Sequence, residues 1–115
     1  MSDISDRDAA AVNTRMLELA SKFIARTTED VAQMREALAR LGDPGSDNGN
    51  GLEQIRQLAH RACGTGGTLG LHALSNAAGE LELLVDALPR VVPGAADRER
   101  MAAGIDAIAA QLVPL

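Results

Sequence analysis

Apolar side chains recur every three or four residues along the first third of the chain, which is the spacing of one face of an α-helix. The positions that follow this spacing are Val12, Met16, Leu19, Phe23, Thr27, Val31, Met34, Leu38 and Leu41. The pattern predicts one long amphipathic helix. The alternative is a break near Thr27, because the stretch Thr27-Thr28-Glu29-Asp30 has the composition of a helix N-terminus. The polar residues 1–10 are expected to be loose or to form a short lead-in helix.

Residues 42–51 interrupt the apolar pattern, since every one of them is a turn former or a helix breaker. They predict a flexible loop, followed by a second helix that begins near Leu52. The buried side of this helix is expected to hold Leu52, Ile55, Leu58, Ala59, Ala62, Gly66 and Leu69. Gly70 then permits a turn.

Two further apolar stripes complete the chain. The first predicts a helix that ends before Pro89, Pro93 and Gly94 and buries Leu71, Leu74, Ala77, Ala78, Leu81, Leu84, Val85 and Leu88. The second predicts a helix from about Ala95 to Leu112 that buries Met101, Ile105, Ile108 and Leu112. Asp97 is expected at or near the N-terminus of this helix, where an acidic side chain is favourable. Four helices with short connections predict an all-α fold, an antiparallel four-helix bundle that forms a single domain over residues 1–115.

The composition supports a helical core and narrows the classes of function. Hydrophobic residues make up 46% of the chain, yet Phe23 is the only aromatic residue, so the core must consist of aliphatic side chains, Met and Ala. The net charge of −5, without a basic cluster, argues against nucleic acid as a partner. Cys63 is the single cysteine, which excludes an internal disulfide and fits a reducing compartment. Since no apolar run approaches the ~20 residues of a membrane span and the N-terminus does not resemble a signal peptide, we expect a soluble, cytoplasmic protein without a membrane partner.

The polar side of the predicted second helix carries the most informative residue, His60. This exposed face is expected to hold Glu53, Arg56, Gln57, His60, Cys63, Gly64 and Gly67. Gly64 and Gly67 follow His60 by one and two turns, although glycine inside a helix costs about 0.5–1 kcal/mol relative to alanine. Two glycines at this spacing clear space beside an exposed imidazole. We therefore interpret His60 as a nucleophile that another protein must reach.

The chemistry that suits such a histidine is phosphoryl transfer, because a neutral imidazole can accept a phosphoryl group on a ring nitrogen. Charge on the phosphoryl oxygens favours nearby cations and hydrogen-bond donors. Arg56 and Gln57 precede His60 by about one turn, and Arg61 is adjacent but rotated to the side. The alternative is a surface histidine without a role. A zinc site is disfavoured, since Cys63 and His60 provide too few ligands.

The residues around His60 resemble the histidine-containing phosphotransfer (HPt) domain family. That family carries His-x-x-Lys-Gly, a further glycine downstream and then a helix with Leu-Glu. The stretches that resemble these motifs are His60-Arg61-Ala62-Cys63-Gly64, Leu69-Gly70 and Leu81-Glu82. The run from Phe23-Ile24 to Gly42-Asp43 is similar to the family's long second helix, so that the resemblance covers roughly residues 12–88.

The resemblance implies a four-helix bundle in which His60 exchanges a phosphoryl group with an aspartate of a response-regulator receiver domain. The expected partners are a receiver domain, a hybrid histidine kinase, or both. The resemblance also implies a monomeric phosphocarrier without ATPase or kinase activity, cofactor or metal, since the Mg²⁺ used in transfer lies in the receiver. Cys63 replaces the family's lysine, and we hypothesise that Arg56 supplies the missing cation. The alternatives are a degenerate module that binds a receiver or kinase without carrying phosphate, and a plain helical interaction domain.

Overall fold

The helices form where the apolar periodicity predicts them. The computed structural model describes residues 6–89 and 91–113, and within these residues it contains four α-helices and no strand. They are α1 (Asp6–Arg40), α2 (Asn48–Thr68), α3 (His72–Asp86) and α4 (Ala95–Ala109). The prediction of an all-α fold is confirmed.

The first helix, α1, continues through the point where the sequence allows a break. Thr27 Oγ1 and Thr28 Oγ1 donate hydrogen bonds to the carbonyl oxygens of Phe23 and Ile24, both at 2.8 Å. Both hydroxyls are therefore satisfied inside one helix and cap no second one. Because α1 already begins at Asp6, residues 6–10 belong to it and form no separate lead-in helix, while residues 1–5 lie outside the described residues.

The second helix, α2, begins inside the predicted loop, so the expected loop boundary at residue 51 is wrong. The Asp47 side chain accepts a hydrogen bond from Asn50 N at 3.0 Å, which makes Asp47 the N-cap of a helix that starts at Asn48. Asn48 Oδ1 in turn accepts from Gly42 N at 2.7 Å. Once an N-terminus is capped in this way, turn-forming residues are tolerated in its first turn. The connection between α1 and α2 is therefore confined to residues 41–47.

Consecutive helices run antiparallel, and α4 closes the bundle against α1. Near the end of α1, Leu41 O accepts a hydrogen bond from Arg98 Nη1 in the first turns of α4, whereas the earlier Arg35 pairs at 2.7 Å with the later Asp106. All four helices contribute to the fully buried core, whose largest aliphatic members are Met34, Leu52, Ile55, Leu81, Val85, Met101, Ile105 and Ile108. Each of these residues lies on a predicted apolar stripe, so the predicted buried faces are confirmed at these positions.

The last helix, α4, is shorter than predicted. It ends at Ala109, because Gln111 N and Leu112 N bond to carbonyls three residues back rather than four, which tightens the chain out of the α-helix. Leu112 still packs, half-buried, against the core. Asp97 lies in the first turn of α4, as expected, and pairs with Arg100.

The N-terminal turns of α1 extend beyond the bundle. Val12, Met16 and Leu19 are 61%, 43% and 36% exposed, so the interpretation of these three positions as part of a buried stripe is wrong. The reason is length: α1 has 35 residues and α2 has 21, which corresponds to about 50 Å against about 30 Å. Although α1 is long, none of the described helices is both long and apolar enough to cross a membrane.

A tight turn returns α3 along α2. Gly70 adopts a φ of +77°, a conformation that other residues rarely take, and Leu71 N donates to Gly66 O at 2.8 Å. Gly66 is buried, and a β-carbon there would lie 3.3 Å from Leu74 Cδ2, so this glycine permits the close approach of the two helices. The turn thereby brings the second half of α3 beside the middle of α2.

Candidate functional site

His60 projects from the middle of α2, and its side chain is 71% exposed. Because α3 runs antiparallel to α2, Glu82 lies beside it, with Oε2 at 2.7 Å from His60 Nδ1. A carboxylate accepts hydrogen bonds and does not donate them, so the proton of the neutral ring belongs on Nδ1. Nε2 is then the nitrogen with the free lone pair. The contact fixes the tautomer of an otherwise accessible imidazole.

Glu82 is the residue of the candidate site that sequence reasoning missed. It entered the resemblance only as part of Leu81-Glu82, with no role assigned. The signal that finds it is the helix register: Gly79 of the antiparallel α3 lies against Cys63, so the residue one turn after Gly79 lies beside His60, which is one turn before Cys63. That residue is Glu82.

Arg56 lies one turn before His60, but carboxylates already surround it. Its Nε lies 3.0 Å from Glu53 Oε2, its Nη1 lies 3.6 Å from Glu82 Oε2, and its Nε lies 3.9 Å from Asp86 Oδ1. The hydrogen bond to Glu53, with the negative charges of all three carboxylates, raises the pKa of Arg56 above its ordinary value. The guanidinium is therefore permanently charged and is engaged by its neighbours.

The two remaining polar residues predicted beside His60 are also held by neighbouring side chains. Gln57 Nε2 donates to Glu53 Oε1 at 3.2 Å and joins the same cluster as Arg56. Arg61 turns to the side, as its position on the helix predicts, and pairs with Asp30 of α1 at 2.7 Å. The Asp30 side chain is only 6% exposed, so this pair links α2 to α1 through a buried carboxylate.

The two glycines of the predicted face differ in their surroundings. A β-carbon at Gly64 would have no non-local atom within 4 Å, which leaves the space beside His60 open. At Gly67 it would lie 3.3 Å from Ser75 Oγ, so Gly67 also accommodates the packing of α3. Of the two glycines, only Gly64 has open space at the position of a β-carbon.

Cys63 was expected on the exposed face but is half-buried. Ser75 Oγ donates to Cys63 O at 2.7 Å and lies 3.7 Å from Cys63 Sγ, and a β-carbon at Gly79 would approach the same sulfur to 3.3 Å. The cause is that α3 packs over this flank of α2. The thiol thus belongs to the α2–α3 contact rather than to the open surface.

Comparison with models of known protein families matches residues 18–112 to the Hpt domain. The match begins within α1 and ends beyond α4, and it includes both His60 and Glu82. No curated protein and no solved structure matches the chain significantly.

Proposed function

This chain belongs to the Hpt domain family, and from that premise we propose that His60 carries phosphoryl groups in a phosphorelay. It accepts the group from the aspartate of a receiver domain in a two-component system and donates it to another such aspartate. The observation that carries this proposal is an imidazole that is 71% exposed and whose Nδ1 is bonded to Glu82. One ring nitrogen is held in place, and the other is left as an accessible nucleophile.

Transfer from the receiver is a displacement at phosphorus. The Nε2 lone pair forms the N–P bond while the bond between phosphorus and the aspartate oxygen breaks, so the aspartate leaves as a carboxylate. The imidazole ring, which keeps its proton on Nδ1, becomes positively charged. Glu82 accepts that proton's hydrogen bond throughout and stabilises the new charge. Donation to the next aspartate is the same step in reverse.

Arg56 acts through the carboxylates that surround it. Glu53, Glu82 and Asp86 place negative charge near the position of the phosphoryl oxygens, and the guanidinium offsets part of it. This role replaces that of a free cation in the original hypothesis. The expected consequence is unchanged: loss of Arg56 destabilises phosphohistidine.

The partner face consists of His60 and the open surface that continues from it. Gly64 leaves room for the approach of the receiver, and Gln57 lies on the same exposed side of α2. Arg61, Gly67 and Cys63 form the flanks of this face, where α2 meets its neighbouring helices. Contacts over such a face are expected to be small and short-lived, since a carrier must release each partner.

We further propose a monomeric, cytoplasmic phosphocarrier with no ATPase or kinase activity of its own. A hybrid histidine kinase and a response regulator are the partners that fit this role. The Mg²⁺ that assists transfer belongs to the receiver domain, so the carrier requires no metal or cofactor.

Phosphotransfer from a purified, phosphorylated receiver domain tests the proposal. We expect an acid-labile, base-stable label on the wild-type chain and none on His60→Ala. His72→Ala is the matched control, because His72 is the only other histidine and is exposed. Glu82→Gln is expected to accept the label more slowly, since an amide cannot neutralise the charged ring.

Two results would contradict the proposal. If no receiver labels the wild-type chain while binding to a receiver is still measurable, the protein is a docking module that carries no phosphate. Equal labelling of wild type and His60→Ala would assign the phosphoryl group to another residue.

A further inference from the structure

A groove between α1 and α2 carries two cationic side chains that have no ion-pair partner among the described residues. It encloses about 230 Å³ and is lined by Lys22, Phe23, Arg26, Thr27, Asp30, Arg61 and Thr65. Lys22 and Arg26 are exposed and lie one turn apart on α1. Within residues 6–89 and 91–113, neither side chain forms a hydrogen bond or an ion pair. Their positive charge is therefore uncompensated at short range.

The groove reaches the phosphoacceptor through α2. Arg61 directly follows His60, and Thr65 lies one turn after Arg61, so both line the flank of α2 that meets α1. Asp30 holds Arg61 at 2.7 Å, which neutralises that guanidinium and fixes the wall of the groove. The net charge of the groove then resides on α1.

The other flank of His60 has the opposite charge. Glu53, Glu82 and Asp86 surround the single guanidinium of Arg56, so negative charge is in excess where α2 meets α3. The surface around His60 is therefore polarised, with cations toward α1 and carboxylates toward α3. A charged partner that covers His60 must respond to this difference.

We propose that Lys22 and Arg26 dock the acidic rim of a receiver domain's phosphorylation site. The inference rests on the proposed function, in which the partner presents an aspartate with Mg²⁺. Proteins bind Mg²⁺ mainly through carboxylates and phosphate oxygens, so the rim of such a site is acidic. The cations of α1 attract this rim, whereas the carboxylates beside α3 repel it. In this way α1 supplies positive charge in place of the family's lysine, whose position is occupied here by Cys63.

Titration of the chain with a receiver domain in the presence of Mg²⁺ tests the docking role. The measurement is made in the His60→Ala background, which cannot carry a phosphoryl group at that residue, so that it reports binding alone. Lys22→Gln/Arg26→Gln is compared with Arg35→Gln/Arg100→Gln, which removes the same charge from exposed positions on α1 and α4. At low salt we expect Kd to rise about three- to twenty-fold for the groove variant and less than about two-fold for the control. High salt should shrink the difference by screening.

The outcomes separate this inference from the proposed function. The docking role of Lys22 and Arg26 is overturned if Kd is unchanged in the groove variant or rises equally in the control. It is also overturned if the His60→Ala chain shows no binding to the receiver before these substitutions are made. Lack of a phosphoryl label on His60 overturns the proposed function instead. A chain that binds through the groove but takes no label would keep this inference and lose the carrier.

Discussion

Replacement of Gly64 by alanine is expected to stabilise the fold while slowing phosphotransfer. Gly64 lies inside α2, and an added β-carbon would have no non-local atom within 4 Å. Alanine removes the conformational freedom that glycine has in the unfolded chain, so the free energy of unfolding should rise by about 0.5–1 kcal/mol. For a domain of this size that corresponds to an increase in Tm of about 2–4 °C.

The matched control is Gly104→Ala in α4. The gain in helix propensity is the same, but the β-carbon would lie 3.0 Å from Leu81 Cδ1, and Leu81 is fully buried. Overpacking of a core costs about 1–3 kcal/mol, which exceeds the propensity gain. Gly104→Ala is therefore expected to lower the free energy of unfolding by up to about 2 kcal/mol.

Urea denaturation of the two variants, followed by phosphotransfer to Gly64→Ala, makes the comparison. A more stable Gly64→Ala that accepts phosphate more slowly shows that the open space beside His60 serves the partner. The reasoning is refuted if Gly64→Ala is destabilised, because the glycine would then have a structural role. It is refuted equally if the stabilised variant transfers at the wild-type rate.

Three further substitutions test other contacts. Asp47→Ala removes the N-cap of α2 and should lower the free energy of unfolding, measured by urea denaturation, by about 1 kcal/mol. Asp47→Asn should keep most of the wild-type stability, because asparagine also caps helices well. Arg61→Ala leaves the buried Asp30 carboxylate without its partner and should lower the free energy of unfolding by about 1–3 kcal/mol. Adding Asp30→Asn should recover part of this loss. If the effects of the two substitutions on the free energy of unfolding are simply additive, the pairing is refuted. Arg56→Ala should shorten the lifetime of phosphohistidine at His60, which is measured as the loss of label with time. Arg56→Lys should restore part of that lifetime, and an unchanged lifetime in Arg56→Ala would refute the role of Arg56.

The helices and their buried faces could be predicted because apolar periodicity reports local geometry, as at Met34 and Ile55. The exposure of Val12 could not, since periodicity shows which side of a helix is apolar but not whether another helix is long enough to cover it. The start of α2 was misplaced because Asp47 is both a turn former and an N-cap, and only its hydrogen bond to the following turn distinguishes the two. Glu82 was missed for a third reason, since its contact with the imidazole depends on the register between two helices.

The charges around His60 suit the proposed transfer of a phosphoryl group, which must leave His60 as readily as it arrives. Cations fixed on the phosphoryl oxygens would lower the energy of phosphohistidine and slow its onward transfer, because stabilisation of the ground state does not accelerate a reaction. In the described structure Arg56 is already hydrogen-bonded to Glu53, so its charge partly neutralises the carboxylates and does not bind the phosphoryl group tightly. Lys22 and Arg26 lie on the neighbouring helix, where in our proposal they act on the partner and therefore only while the partner is bound. In our proposal, replacement of the family's lysine by Cys63 therefore moves positive charge from phosphohistidine to the encounter with the receiver, which would favour rapid exchange over storage.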